Sequence, residues 1–339
     1  MLLAPLAIIG CQDLSNAPPQ HSTSPTHSNV ANCRTIQHEA GETDICGQPQ
    51  RIAVLGPFIL EPLLALDIQP VAFADHNTWH QGDYDDPRQQ IPYLGQYITN
   101  GLTNLGSAWQ PSVEALVKLK PDLILGAAFN NAEQYETLSA IAPTMLLTWD
   151  NAELNLRAIA QAVGSPEKAE QVLLEMDEQV ANGRNRFTSF VADHPNVLLI
   201  STDSRLQDIY MGNSAHGLCS SLLIDLGFNL VSVPGLKDNQ PGAAVPISLE
   251  ALTQANTDDV IIMLSSSEDT PTDMEDFSDH QLSGLKQSWE ENAIAQSFNA
   301  SKAGRVYFIP AYLCLGLPGP IGTKLYLEEL QERLLPLQE

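Results

Sequence analysis

Positive charge is scarce in this chain: 16 Lys plus Arg stand against 41 Asp plus Glu in 339 residues, a formal net charge of −25. Phosphate backbones are held by clustered cations, so this balance argues against a nucleic-acid partner, and an anionic membrane surface would repel the protein. Long apolar runs are also lacking. The N-terminal stretch, residues 1–10, falls well short of the roughly 20 residues a membrane-spanning helix needs, and no later stretch is long enough either. Three catalytic signatures are missing as well: the Gly-x-x-x-x-Gly-Lys phosphate loop, His-Glu-x-x-His and Gly-x-Ser-x-Gly. Gly316, Gly319 and Gly322, three apart, read as turn chemistry rather than nucleotide binding. Aromatics make up only 6% of the chain, so any concentration of them carries weight.

The length fits about two domains, and 43% hydrophobic residues suffice for each to bury a core. Leu6-Ala7-Ile8-Ile9-Gly10-Cys11 has the form of the end of a bacterial lipoprotein signal, in which cleavage before Cys11 lets the thiol take lipid. The basic opening of such a signal is missing, and a frayed apolar terminus or a start lying elsewhere are the other readings. Residues 12–32, rich in Ser, Pro, Thr, Asn and Gln and carrying His21 and His27, read as a flexible tether. Cys33 and Cys46 bracket a hairpin that turns at Gly41, within a unit of residues 33–50, and an exported protein would staple it with a disulfide. Cys219 and Cys314, distant in sequence, read as two buried free thiols.

One helix-then-strand unit is written twice. Pro111-Ser112-Val113-Glu114-Ala115-Leu116 leads to Pro121-Asp122-Leu123-Ile124-Leu125, and Ile247-Ser248-Leu249-Glu250-Ala251-Leu252 leads to Asp258-Asp259-Val260-Ile261-Ile262. Each copy has a capping Ser, a Glu two positions on, an apolar stripe and a short β-branched run that reads as a buried parallel strand. The fold class is therefore α/β: two lobes, each with a central, mainly parallel sheet flanked by helices, over residues 51–164 and 191–339. Between them Ser165-Pro166-Glu167 opens a helix over 165–190 whose apolar positions Ala169, Val172, Leu173, Met176, Val180 and Phe187 keep helical spacing. One stiff helix joining two lobes restricts closure to a small hinge.

Parallel sheets bind ligands in the crevice outside the carboxyl ends of their strands. Loops there carry Phe58, His76, Trp79, Tyr97, Phe129 and Trp149 from the first lobe and Arg205, Tyr210 and Tyr312 from the second. As a set they point to a broad, mainly apolar-sided ligand, although any single one is more often core packing than a contact. His76 and His80, four apart and flanked by Asp75 and Asp83, would share a face only on a helix, and the loop-like composition argues against a metal site. The acidic stretch 268–279 lacks the spacing of a calcium loop and reads as a solvated loop.

From Arg51 to Leu335 the chain resembles the substrate-binding proteins of bacterial ABC importers for ferric siderophores and cobalamin, the class whose lobes are joined by one long helix. The resemblance rests on Arg51-Ile52-Ala53-Val54-Leu55, Leu64-Ala65-Leu66-Asp67-Ile68-Gln69-Pro70-Val71, Lys120-Pro121-Asp122-Leu123-Ile124, Ser221-Leu222-Leu223-Ile224-Asp225-Leu226-Gly227-Phe228, Gly304-Arg305-Val306-Tyr307 and Gly319-Pro320-Ile321, in the family's order. The hairpin with Gly41-Glu42-Thr43 is similar to the opening of cyanobacterial members. The resemblance implies a lipid-anchored periplasmic monomer with no catalytic residue and no cofactor of its own. It implies a ferric siderophore as ligand, its iron carried only within the chelate, and an ABC permease dimer as partner, docked through Glu114 and Glu250. Cobalamin or haem is the alternative cargo, and a metal-dependent enzyme built on His76 and His80, or a sensor with no importer, are the alternatives of other classes. Many siderophore-binding relatives carry an Arg just before the Gly-Pro-Ile equivalent, where this chain has Leu317-Pro318. With only Arg88, Arg205 and Lys237 in loops facing the cleft, a hydroxamate chelate or cobalamin suits it better than highly anionic ferric citrate.

Overall fold

The computed structural model describes residues 33–233, 245–255, 259–265 and 277–335. Cys11, the tether with His21 and His27, Lys237 and most of the acidic stretch 268–279 lie outside the described residues. Strands β1 (Cys33–His38) and β2 (Gly41–Cys46) form the expected antiparallel hairpin, with Cys33 opposite Cys46 and the two joined by a disulfide. Arg34 ties the hairpin to the first lobe by donating to the Gln161 carbonyl.

The first lobe alternates β3 (Ile52–Leu55), α1 (Pro57–Ala65), β4 (Ala72–Asp75), α2 (Pro87–Gln90), β5 (Thr103–Ser107), α3 (Val113–Leu119), β6 (Leu123–Ala127), α4 (Ala128–Asn131), α5 (Tyr135–Ser139), β7 (Thr144–Leu147) and α6 (Ala152–Val163). Its five strands are all parallel, in the order β5-β4-β3-β6-β7. Both faces are covered, which is why the strands read as continuous apolar runs. Ile52 and Val54 point into one core with α1 and α6, whereas Ala53 and Leu55 point into another with Leu116 of α3.

Helix α7 (Pro166–Asp193) spans 28 residues, about 42 Å at 1.5 Å per residue, and overruns the expected segment by three residues at its C-terminal end. Ala169, Val172 and Leu173 lie in the core of the first lobe and Phe187 in that of the second, so this single helix is an integral part of both.

The second lobe comprises β8 (Asn196–Thr202), β9 (Ile209–Met211), α8 (Leu218–Asp225), β10 (Asn229–Leu230), β11 (Val245–Pro246), α9 (Leu249–Leu252), β12 (Val260–Ser265), α10 (Phe277–Leu282), α11 (Leu285–Glu291), α12 (Asn299–Lys302), β13 (Val306–Pro310) and α13 (Pro320–Leu334). Its order is β11-β9-β8-β12-β13, with β10 also on β8. The run β8-β12-β13 is parallel and matches β3-β6-β7, but β9 and β11 are antiparallel additions at the edge. Tyr210 therefore sits on an antiparallel strand rather than in a loop leaving a parallel one.

The repeat is structural as well as textual. Asp122, just before β6, accepts the amides of Gln50 and Arg51 ahead of β3, and Asp259, just before β12, accepts the amide of Asn196 at the start of β8. Each carboxylate fixes the register of the strand pair it begins.

Two expectations are corrected. Cys219 and Cys314 are not free thiols: they form a disulfide with 4.9 Å between their Cα atoms, because α8 and the widened turn after β13 (Tyr312–Gly316) pack together in the second core. The acidic stretch does not remain a loop to its end, since Phe277 opens α10 and is buried at 2% exposure.

Candidate functional site

The carboxyl ends of the strands face the space between the lobes and carry two aromatic groups. The first belongs to the first lobe alone. Phe58 follows β3, His76 follows β4, Trp109 follows β5 and Phe129 lies just after β6. Phe58 and Phe129 stack at 5.6 Å between ring centroids, and His76 meets Phe58 at 6.0 Å, Trp109 at 6.0 Å and Phe129 at 6.1 Å. Phe58 is buried, but Trp109 and Phe129 are 50% and 51% exposed, an open aromatic platform on a buried base. Large apolar rings left half in water are the informative kind of surface.

The second group bridges the lobes. Trp79 and Tyr93 of the first lobe meet Phe277 and Tyr312 of the second: Trp79 to Phe277 is 5.0 Å, Trp79 to Tyr312 5.9 Å, Tyr93 to Phe277 5.5 Å and Tyr93 to Tyr312 5.8 Å. The Tyr93 and Ser278 hydroxyls are hydrogen-bonded at 2.7 Å. Nearby, Trp149 Nε1 donates to the Leu315 carbonyl at 2.9 Å, a further interlobe bond. Trp149 also lines a groove of about 830 Å³ that runs along α7 past Met176, Val180 and Arg184.

Several polar atoms here are left without partners. His76 Nε2, Trp79 Nε1, Ser265 Oγ and the Tyr312 hydroxyl are buried and have no hydrogen-bond partner among the described residues. Burial pushes the His76 imidazole down to about 4, so it is neutral at pH 7. Burial first, and then the neighbouring Asp75 charge, hold the Tyr312 hydroxyl well above its ordinary range, leaving it a permanent donor. Asp75 ends β4, accepts the His76 amide at 2.7 Å, and is itself pushed up to about 7 by burial. A buried polar atom left unpaired costs about 1–3 kcal/mol, a cost that an acceptor-rich ligand would remove.

Of the residues singled out by sequence, Phe58, His76, Trp79, Phe129, Trp149 and Tyr312 come together around this space. Tyr97 does not join them: it closes a short turn (Gly95–Tyr97), packs on the core of the first lobe, and its carbonyl accepts from Gln69 Nε2 at 3.0 Å. Tyr210 is 39% exposed on the edge strand β9. Arg205 is exposed beside Asp203, 3.6 Å away, and Arg88 is exposed on α2. Tyr93, Trp109, Phe277 and Ser265 were missed. Trp109 and Ser265 stand at strand ends where position alone would have found them, whereas Tyr93 and Phe277 sit in segments whose polar composition concealed them.

His76 and His80 do not converge. The segment after β4 is not helical, and His80 Nε2 contacts the Asp83 carbonyl and Gln90 instead. Among the described residues no group of three or more His, Cys, Asp or Glu side chains is placed to hold a metal. No helix among them is long and apolar enough to cross a membrane.

Glu114 and Glu250 are each exposed in the first turn of a short helix, α3 or α9, at the start of the segment that leads into β6 or β12 rather than at a strand's carboxyl end.

Known proteins share this architecture. The chain is 28% identical over 308 residues, 88% of each chain, to the putative ABC transporter substrate-binding lipoprotein YhfQ of Bacillus subtilis. It is 33% identical over 235 residues, 67% of this chain and 65% of the other, to the probable siderophore-binding lipoprotein YfiY of the same organism. The crystal structure of Staphylococcus aureus SirA complexed with staphyloferrin B superposes with a TM-score of 0.68 at 21% identity, over 88% of this chain and 97% of that one, a likeness of fold. The periplasmic binding protein model matches residues 52–313, and the chain belongs to that family.

Proposed function

We propose that the protein captures a ferric siderophore between its two lobes and delivers it to the permease dimer of an ABC importer. The observation that carries this reading is the half-exposed Trp109–Phe129 platform beside the Trp79–Tyr93–Phe277–Tyr312 contact, both at the carboxyl ends of parallel strands. Rings cover the organic shell of a chelate, and the neutral donors Trp79, Ser265 and Tyr312 meet its carbonyl oxygens, with the neutral His76 imidazole beside them. No bond to the ligand is made or broken. The protein contributes no ligand to the iron, which travels inside the chelate, and it has no cofactor of its own.

Cargo charge follows from the wall. The described cations nearest in sequence to the cleft loops, Arg88 and Arg205, are exposed, in a protein of net charge −25. That electrostatic setting favours a neutral or cationic chelate, such as a ferric trihydroxamate, over polyanionic ferric dicitrate.

Docking uses the duplicated carboxylates. Glu114 and Glu250 are presented to solvent by matching helix starts, one per lobe, which suits two basic pockets on a two-fold permease. Two relatives are lipoproteins by name, which supports a tether through Cys11 outside the cytoplasmic membrane, with the membrane touched only by the lipid; the protein acts there as a monomer. The test is a titration panel of ferric trihydroxamate, ferric dicitrate, haem and cobalamin followed by tryptophan emission. Tight binding of a ferric chelate supports the reading, and binding of haem or cobalamin alone overturns the siderophore assignment.

A further inference from the structure

Glu61 is a carboxylate in an improbable place. It lies on α1, the first helix of the first lobe, and its side chain is fully buried, with no salt bridge among the described residues. Its Oε2 accepts the Gly319 amide and its Oε1 the Gly322 amide, both at 2.7 Å. These amides belong to the first turn of α13, whose leading N–H groups have no partner within the helix. Once ionised, above about pH 7, the side chain also meets the positive end of a 15-residue helix.

Both positions are crowded, for different reasons. A Cβ on Gly319 would sit 2.8 Å from Glu61 Oε2, and one on Gly322 would sit 1.6 Å from the Leu317 carbonyl oxygen. Gly319 thus lets a side chain from the other lobe approach the backbone, while Gly322 keeps the turn from Leu317 closed.

The segment so held matters to the cleft. After β13 the chain carries Tyr312 in the interlobe aromatic contact, then Leu315, whose carbonyl receives Trp149 Nε1. It then buries Leu317 and Ile321 in the core of the first lobe before Tyr326, Leu327 and Leu330 return it to the second. One wall of the cleft is therefore anchored in the opposite lobe at its far end.

We infer that Glu61 is a positioning residue for ligand capture: its carboxylate clamps the start of α13 to the first lobe, which sets where Tyr312 and the Leu315 carbonyl stand in the cleft. Glu61 touches no ligand and acts through the seven-residue step from Tyr312 to Gly319. The inference rests on the cleft reading above, and its tests separate the two.

The experiment compares wild-type protein with Glu61→Gln, in which the amide turns a donor toward one of the two N–H groups, and with Gly319→Ala, which crowds the carboxylate from the other side. Ferric trihydroxamate binding is read by tryptophan emission, and amide exchange is read over residues 317–323. In folded Glu61→Gln, exchange at 317–323 is expected to speed up about tenfold and chelate affinity to fall about tenfold, with Gly319→Ala behaving alike. Faster exchange with unchanged affinity would reduce Glu61 to a helix cap and overturn the positioning role, as would both readouts staying at wild-type values. Should the variants not fold, the wild type decides: chelate binding must slow exchange at 317–323 more than at 330–334, and equal slowing overturns the inference. If wild-type protein binds no member of the panel, the cleft reading fails, and the clamp is judged separately on exchange in ligand-free Glu61→Gln.

Discussion

Glu114 and Glu250 occupy the same position in two copies of one local structure. Ser112 Oγ accepts the Ala115 amide at 3.2 Å and Ser248 Oγ accepts the Ala251 amide at 3.2 Å, so each Glu is the second residue of a helix whose start is fixed by a serine cap. Such a cap is worth about 1 kcal/mol, enough to hold an otherwise short helix end in place. A carboxylate in a first helical turn gains about 0.3–1 kcal/mol from the dipole and needs no other purpose, but two at equivalent sites on two lobes form a matched pair. Reversing both charges, Glu114→Arg with Glu250→Arg, is expected to abolish chelate uptake in cells while solution affinity for the chelate stays at the wild-type value. Uptake at the wild-type rate would remove docking from the assignment.

The aromatic contact between the lobes gives a second expectation. Trp79→Ala and Tyr312→Ala each remove a ring and a buried donor, and are expected to lower chelate affinity by about 1.5–3 kcal/mol, roughly ten- to a hundredfold. Arg184→Ala, in the groove along α7, should leave affinity within twofold. A titration in which the Arg184 variant loses affinity and the aromatic variants keep it would move the ligand into that groove.

Cargo charge is open to direct measurement. Ferric trihydroxamate is expected to quench tryptophan emission at a lower concentration than ferric dicitrate, and the gap should narrow as salt rises, because screening weakens repulsion from the protein's charge. The reverse order would contradict the electrostatic reading.

Two buried carboxyls set a pH dependence. Burial pushes Glu61 and Asp75 each up to about 7 from ordinary values of 4.5 and 3.8. Between those limits the folded state keeps protons that the unfolded chain has already released, so stability is fullest below the unfolded values and falls as pH rises to about 7. The loss is of the order of 3 kcal/mol for each group. Urea unfolding at pH 5 and pH 7.5 should show the fall in wild-type protein and a smaller one in Asp75→Asn; equal falls would mean that Asp75 is not held protonated.

The Cys219–Cys314 disulfide closes a loop of 95 residues within the second lobe. Replacing both by Ala should lower unfolding free energy by about 2–4 kcal/mol and leave the Cys33–Cys46 hairpin oxidised. Peptide mapping of protein exported to an oxidising compartment should find Cys219 linked to Cys314, and labelling of both as free thiols would contradict the pairing.

Much of the architecture was legible in the sequence, because burial leaves a periodic mark. Two-sided burial wrote apolar runs at 52–55, 123–125, 197–200 and 260–262, and the apolar spacing after Pro166 declared the long helix. The duplicated Ser-x-Glu-Ala-Leu unit foretold two related lobes with matching carboxylates. The antiparallel edge strand β9 left a weaker mark, since three residues are too few to show a period.

What only the tertiary structure decided are relationships between residues far apart in the chain. Cys219 and Cys314 looked like unrelated thiols until helix packing set them side by side. Tyr93 and Phe277, hidden in polar surroundings, became the inner faces of the cleft only when the lobes met. Glu61 in an apolar helix and glycines at 319 and 322 carry no shared pattern, yet a carboxyl group, two backbone amides and the missing Cβ of Gly319 form one contact across the lobes. Local periodicity is a property of neighbours in sequence, so the composition of each lobe could be read along the chain. A cleft and a clamp are properties of distance in space, and only folding brings their parts within hydrogen-bonding reach.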